Sequence, residues 1–191
     1  MTALTLNLDA IVQLTDEAFY TLCRANPEVK FERTSFGELI IMPPTGGETG
    51  NRNIKLAARL ENWAEQDCSG IAFDSSTMFQ LPNGAYRSPD AAWIVLERWE
   101  ALSPKQREAF SPICPDFVVE LRSPSDSLTT LQNKMQEYMD NGASLGWLLN
   151  PQDQQVEIYR QGQDKEVLSN PTSLSGEEVL PGFVLDLRGI L

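Results

Sequence analysis

Cys114-Pro115-Asp116-Phe117-Val118-Val119-Glu120-Leu121-Arg122-Ser123-Pro124-Ser125-Asp126 is the stretch on which the fold turns. Asp116 to Arg122 reads as a buried strand, with Phe117, Val119 and Leu121 on one face and Val118, Glu120 and Arg122 on the other. A carboxylate and a guanidinium two residues apart therefore share a face at the strand's carboxyl end. Placing Glu120 within so apolar a run is costly unless a cation meets it, either Arg122 or a metal. The strand breaks at Ser123-Pro124, and a helix capped by Ser125 or Asp126 runs to Asn141, where Gly142 ends it. Charge at the carboxyl end of a strand, just before a helix, is where open α/β sheets place ligands.

Working outward, Ser88-Pro89-Asp90 leads into a strand over Ala91 to Leu96. A carboxylate at the start of one strand and another in its neighbour can meet at one sheet end and share a divalent ion. On the following helix, Leu128, Leu131, Met135 and Tyr138 form the buried stripe. Lys134 sits at its edge, stem on apolar surface and ammonium outward. Each of these residues also has a plainer reading. Asp90 after proline suits a turn, Glu120 with Arg122 suits an ion pair within a sheet, and Lys134 suits a solvated helix face.

The remaining chain alternates short strands and helices. Residues 1–14 form an N-terminal arm, Thr15 caps a helix over Glu17 to Asn26, and Val29–Arg33 pairs with Glu38–Met42 as a hairpin. Pro43-Pro44-Thr45-Gly46-Gly47 forces a loop before an amphipathic helix, Glu48 to Gln66, with Leu56, Leu60, Trp63 and Ala64 at helical spacing. Arg52, Lys55 and Arg59 line one side of that helix, either as a solvated face or as a phosphate-contacting stripe. Strands are expected over Ile71–Phe73, Thr77–Leu81, Leu145–Leu149, Gln155–Arg160, Lys165–Ser169 and Phe183–Leu187. Glu97–Leu102 is ambiguous, and Ser103-Pro104 starts a short helix. Residues 15–191 thus make one domain of α/β or α+β class, a mixed sheet with a few helices.

The chain has 191 residues, 41% of them hydrophobic, enough for one well-buried domain. It contains no histidine, which removes Ser-His-Asp and Cys-His triads and every base chemistry that needs imidazole. Carboxylates with Mg²⁺ or Mn²⁺ become the default enzymatic option. Cys23, Cys68 and Cys114 are scattered and odd in number, which suits a reducing cytoplasm and argues against structural zinc. Apolar runs are too short to cross a membrane. The net charge of −12 opposes a general positive field for nucleic acid; a nucleic-acid substrate needs a local basic patch or metal ions bridging carboxylates to phosphate.

The order Pro89-Asp90 and then Glu120-Leu121-Arg122 resembles the PD-(D/E)XK nuclease signature. More narrowly, Met42-Pro43-Pro44-Thr45-Gly46-Gly47, Ser88-Pro89-Asp90, Pro115-Asp116-Phe117-Val118-Val119-Glu120, Ser123-Pro124-Ser125, Lys134, Tyr138, Gly142 and Trp147-Leu148-Leu149-Asn150-Pro151 resemble the Uma2 family, over roughly residues 15 to 187. The resemblance implies a restriction endonuclease-like fold, a central mixed β-sheet flanked by helices, and Mg²⁺-dependent cleavage of phosphodiester bonds in DNA. It implies Asp90 and Glu120 as metal carboxylates, with the Leu121 carbonyl beside them and Glu48 as an extra helix acid. Arg122 occupies the signature lysine position. Arginine is a poor base; the resemblance implies that in this family the lysine function has moved to the following helix, with Lys134 as the water-orienting residue and Arg122 as transition-state support. The family comparison also implies a homodimer. Two other readings fit the same residues: a catalytically inactive module that binds a partner or itself, and a hydrolase of small phosphoesters.

Overall fold

Backbone pairing groups the strands into three sheets in the computed structural model, which describes residues 3–191. The chain begins with β1 (Leu4–Leu6), α1 (Asp16–Ala25), β2 (Lys30–Arg33) and β3 (Leu39–Met42). Then follow α2 (Gly47–Asp67), β4 (Gly70–Asp74), β5 (Phe79–Gln80), β6 (Tyr86–Arg87) and β7 (Ala91–Val95). After α3 (Leu96–Glu100) and α4 (Pro104–Glu108) come β8 (Phe117–Leu121), α5 (Leu128–Asp140), β9 (Leu145–Asn150) and β10 (Gln155–Arg160). The tail adds β11 (Glu166–Ser169), β12 (Ser173–Ser175) and β13 (Val184–Asp186).

The central sheet has six strands in the order β11-β10-β9-β8-β7-β4. β8 and β9 are parallel, and every other pairing in this sheet is antiparallel. A parallel pair needs a crossover, and α5 supplies it. β8 and β9 are buried along their whole length, as strands covered on both faces must be. Alternation then sorts their side chains. Phe117, Val119, Trp147 and Leu149 pack under Leu56, Leu60 and Ala64 of α2. Val118 and Leu148 face Met135, Tyr138 and Met139 of α5. Gly146 clears the way for α5, since a Cβ there would lie 2.5 Å from Met135 Cε.

The second sheet, β1-β3-β2-β6-β5, lies under α1, where Phe19, Phe31, Leu39 and Tyr86 form a smaller core. β12 and β13 pair antiparallel and close the α2 side. Among the described residues no helix is long and apolar enough to cross a membrane.

Several local expectations shift. Ser127, not Ser125 or Asp126, caps α5 by accepting from the Thr130 N–H. Asp126 is occupied instead by the Ser123 N–H, 2.8 Å away, closing the turn after β8. The ambiguous stretch after β7 is helical, the strand expected over Thr77–Leu81 shortens to β5, and β12 was not anticipated. Within the N-terminal arm, Leu4–Leu6 pairs with Leu39–Ile41; Met1 and Thr2 lie outside the described residues.

Two glycines give opposite outcomes on substitution. A Cβ at Gly70 would lie 2.3 Å from the Trp93 ring and 2.4 Å from the Ile94 carbonyl oxygen, whereas one at Gly50, inside α2, meets nothing within 4 Å. Gly70→Ala should lose about 1–3 kcal/mol by overpacking, and Gly50→Ala should gain about 0.5–1 kcal/mol of helix stability. Urea unfolding midpoints check both, and an unshifted Gly70→Ala would show that β4 lifts away freely.

Candidate active site

β7 and β8 bring two acids to one sheet end. Ala91 sits opposite Val119, so Asp90, one residue before β7, lies beside Glu120. The Asp90 N–H donates to the Val119 carbonyl at 2.9 Å. Its carboxylate is held on both oxygens: Oδ2 accepts from the Leu121 N–H at 2.8 Å and Oδ1 from the Asn53 amide of α2 at 2.9 Å. Asp90 thus supplies a partner to the Leu121 N–H where the β7 ladder ends.

Glu120 is 4% exposed and faces α5. Lys134 Nζ lies 2.9 Å from Glu120 Oε1, and the Tyr138 hydroxyl donates to the same oxygen at 3.1 Å. Lys134 and Tyr138 are four residues apart on α5 and so share a face. The same ammonium donates to Glu32 Oε1 at 2.8 Å and to the Ser88 carbonyl at 3.3 Å. Glu32 comes from β2, is 2% exposed, and also accepts from the Ser88 N–H at 3.0 Å and from Arg87 at 3.1 Å. Arg87 is held in turn by Glu137, 2.5 Å away.

One ammonium cannot neutralise two buried carboxylates equally. Burial pushes Glu120 up to about 7; Lys134 opposes the rise, while Asp90 and Glu32 add to it. For Glu32, burial also disfavours the charge, but Lys134, Arg87 and the Ser88 N–H outweigh it and hold the carboxyl down at about 2. Burial works against the Lys134 charge as well, yet Glu120 and Glu32 keep its proton on, above the usual lysine range.

Asp90, Glu120 and Lys134 therefore come together, and the other sequence-predicted residues stand elsewhere. Arg122 shares the Glu120 face but reaches across to β9, with Asn150 at 3.2 Å and Asp153 at 3.0 Å. The cation that meets Glu120 is Lys134, not Arg122. Lys134 in turn spends its three N–H donors on Glu32, Glu120 and Ser88, so here it holds carboxylates rather than a water. Glu48 is exposed, and among the described residues no three acidic or thiol side chains converge on a metal position. The face of α2 that reaches Asp90 carries Asn53, and helical geometry turns Glu48 about 140° from it. Lys55 donates to the Gly189 carbonyl, and Arg59 to the carbonyls of Asp186 and Arg188, fastening α2 to the tail. Arg52 is half-buried on the same helix.

Sequence reasoning missed Glu32, Arg87 and Asn53. Glu32 carried a faint signal: in Lys30-Phe31-Glu32-Arg33 it sits beside an apolar residue in a short strand, where an unpaired charge is costly.

The donors at this sheet end are all oxygens, which suits a hard cation such as Mg²⁺ or Mn²⁺. Two buried oxygens, Asn53 Oδ1 and Ser88 Oγ, have no hydrogen-bond partner. The Asn53 amide is bonded to Asp90, and Ser88 lies two residues before it. Together with the Asp90 and Glu120 carboxylates these are oxygen donors of the kind such an ion takes.

Residues 16–188 match the family model described as Uma2, "Putative restriction endonuclease". Among solved structures the chain is similar to a "putative nuclease belonging to DUF820" from Anabaena variabilis, with a TM-score of 0.73. That likeness runs at 20% identity over 85% of this chain and 90% of the other. It shows the restriction endonuclease-like fold. No curated protein matches.

Because folding lowers Glu32 from its ordinary 4.5 to about 2, its charge stabilises the fold above pH 4.5. That contribution, about 3 kcal/mol by linkage, is lost as the pH falls through 2. Glu32→Gln should be less stable than wild type at pH 7 and should lose less on acidification from pH 5 to 3, by urea unfolding at each pH. Parallel curves for the two proteins would show that another group governs the acid limb.

Proposed function

The chain belongs to the Uma2 family of restriction-endonuclease-like proteins, and we propose that it is a nuclease that hydrolyses phosphodiester bonds of DNA with Mg²⁺ or Mn²⁺. The observation that carries the proposal is the meeting of Asp90 and Glu120 across β7 and β8, each carboxylate already oriented by N–H or O–H donors.

When bound, a divalent cation supplies Lewis-acid polarisation of a phosphoryl oxygen and lowers the pKa of its water. Asp90 and Glu120 would hold it, with the Leu121 carbonyl beside them. The chain's own work is positioning. The Leu121 N–H and Asn53 fix the Asp90 carboxylate, and Lys134 with Tyr138 fixes Glu120. Lys134 stays charged and offsets the acids, which lets two or three carboxylates share a buried space. Arg122 is paired with Asp153, whose side chain is 53% exposed. Exchanging that partner for a phosphate would put a guanidinium on developing negative charge.

A polyanion needs a basic track on a chain of net charge −12. Arg52, Lys55 and Arg59 line α2, the helix that also presents Asn53. Lys55 and Arg59 bond to neutral carbonyls rather than carboxylates, and the Asp186 carboxylate acts on Arg59 only through its nearby charge. These observations support a local phosphate-guiding stripe.

A second reading, a module that keeps the fold without cleavage, is favoured by the three spent donors of Lys134. Plasmid DNA, single-stranded DNA and bis(p-nitrophenyl) phosphate, each with Mg²⁺ or Mn²⁺, separate the two. Wild type should cleave at least one DNA substrate. Asp90→Asn and Glu120→Gln should each slow it about a hundredfold or more, the scale of a lost electrostatic stabiliser, with circular dichroism unchanged. Undiminished cleavage by both variants refutes the site. No cleavage of DNA by wild type favours the module, and cleavage of the small diester alone favours a phosphoesterase.

A further inference from the structure

Asn53 donates its amide N–H to Asp90 Oδ1 at 2.9 Å, and its own Oδ1 is buried without a partner. The orientation of the amide is fixed by chemistry. The nitrogen is the amide's only donor, so it is the atom that faces Asp90 Oδ1, and the amide oxygen stands next to that contact with no donor of its own. A buried acceptor without a donor costs free energy that a fold does not spend idly. The nearest chemistry that would satisfy it is an electropositive ligand beside Asp90.

Resting on the divalent-cation reading above, we propose that Asn53 Oδ1 is a third oxygen of the cation site, taking the ion directly or through one of its waters. The helix that faces Asp90 thus contributes a neutral amide. Glu48, the acid in the first turn of α2, is turned aside. The site then carries two carboxylates, with Lys134 shared between Glu120 and Glu32. Such a low acid count makes for weak cation binding, because affinity for hard cations rises with the number of charged oxygens. Ser88 is 4% exposed, and its Oγ is likewise buried without a partner; two residues before Asp90 in the chain, it is the companion acceptor.

The charge count gives the test a direction that a merely structural asparagine would not give. Mn²⁺ is titrated into the full chain by calorimetry, with melting temperatures taken in EDTA and in Mn²⁺. Asn53→Leu should weaken Mn²⁺ binding about tenfold, the lower end for groups that support a metal ligand. Asn53→Asp should do the reverse: a lower melting temperature in EDTA, from repulsion against Asp90, and Mn²⁺ binding tightened about tenfold. Asp90→Asn serves as the reference that abolishes binding. If wild type binds Mn²⁺, Asp90→Asn does not, and both Asn53 variants bind as wild type, the Asn53 proposal is wrong while the cation reading stands. If wild type binds no Mn²⁺ at all, both fall. Should Asn53→Leu fail to fold, Asn53→Ala takes its place, and Mn²⁺ binding at the wild-type affinity in that variant overturns the proposal.

Discussion

The ammonium of Lys134, set between Glu32 and Glu120, is the interaction on which the rest of the structure depends. Its three contacts come from three places: β2 in the second sheet, β8 in the central sheet, and the Ser88 segment that joins the two. Taking those charges out of water costs several kcal/mol per ion before any pairing recovers it. The cost is tolerable because each partner has further hydrogen bonds, Arg87 and Ser88 for Glu32 and Tyr138 for Glu120. The network does for the polar side of α5 what Met135 and Met139 do for its apolar side. It fixes the helix to the sheet, and it fixes its rotation as well.

That arrangement gives the acids unequal lives. Glu32 is surrounded by donors and stays ionised, while Glu120 shares its cation and faces Asp90, so burial raises it to about 7. A pair of neighbouring acids with separated proton affinities is a common mark of functional sites, although structural ion networks also produce it. The same acids stand near Asn53, which bonds to Asp90, and Ser88, two residues before it, and among the described residues each of these two carries a buried oxygen without a partner; the chain belongs to the Uma2 family.

Much of this was legible in the chain itself. The alternation in Phe117-Val118-Val119-Glu120-Leu121 placed Glu120 opposite the α2 face, and the periodicity of Leu56, Leu60 and Ala64 placed α2 over the other side. Asp90 and Glu120 were legible as acids because Asp90 follows a proline just before β7 and Glu120 interrupts the apolar run of β8. Arg122 was legible as sharing the Glu120 face, but its reach was not. A long side chain at a strand end chooses among partners that only the fold brings near, here Asn150 and Asp153. Glu32 was hidden for the same reason in stronger form, since Lys134 is 102 residues away. Asn53 was hidden by its chemistry: an amide on an amphipathic helix carries no charge to single it out. The cap of α5 slipped to Ser127 because Asp126 was already engaged in a turn.

The same long separation has a consequence for how the protein is made. A ribosome adding about 5–20 residues per second incorporates Glu32 roughly 5–20 s before Lys134, given the 102-residue gap. During that interval the hairpin of β2 and β3 holds a carboxylate meant for burial with no ammonium to receive it. Arg87 and the Ser88 N–H come about halfway through that interval and are the first partners available to Glu32. The full set of partners for Glu32 therefore exists only once α5 has been made.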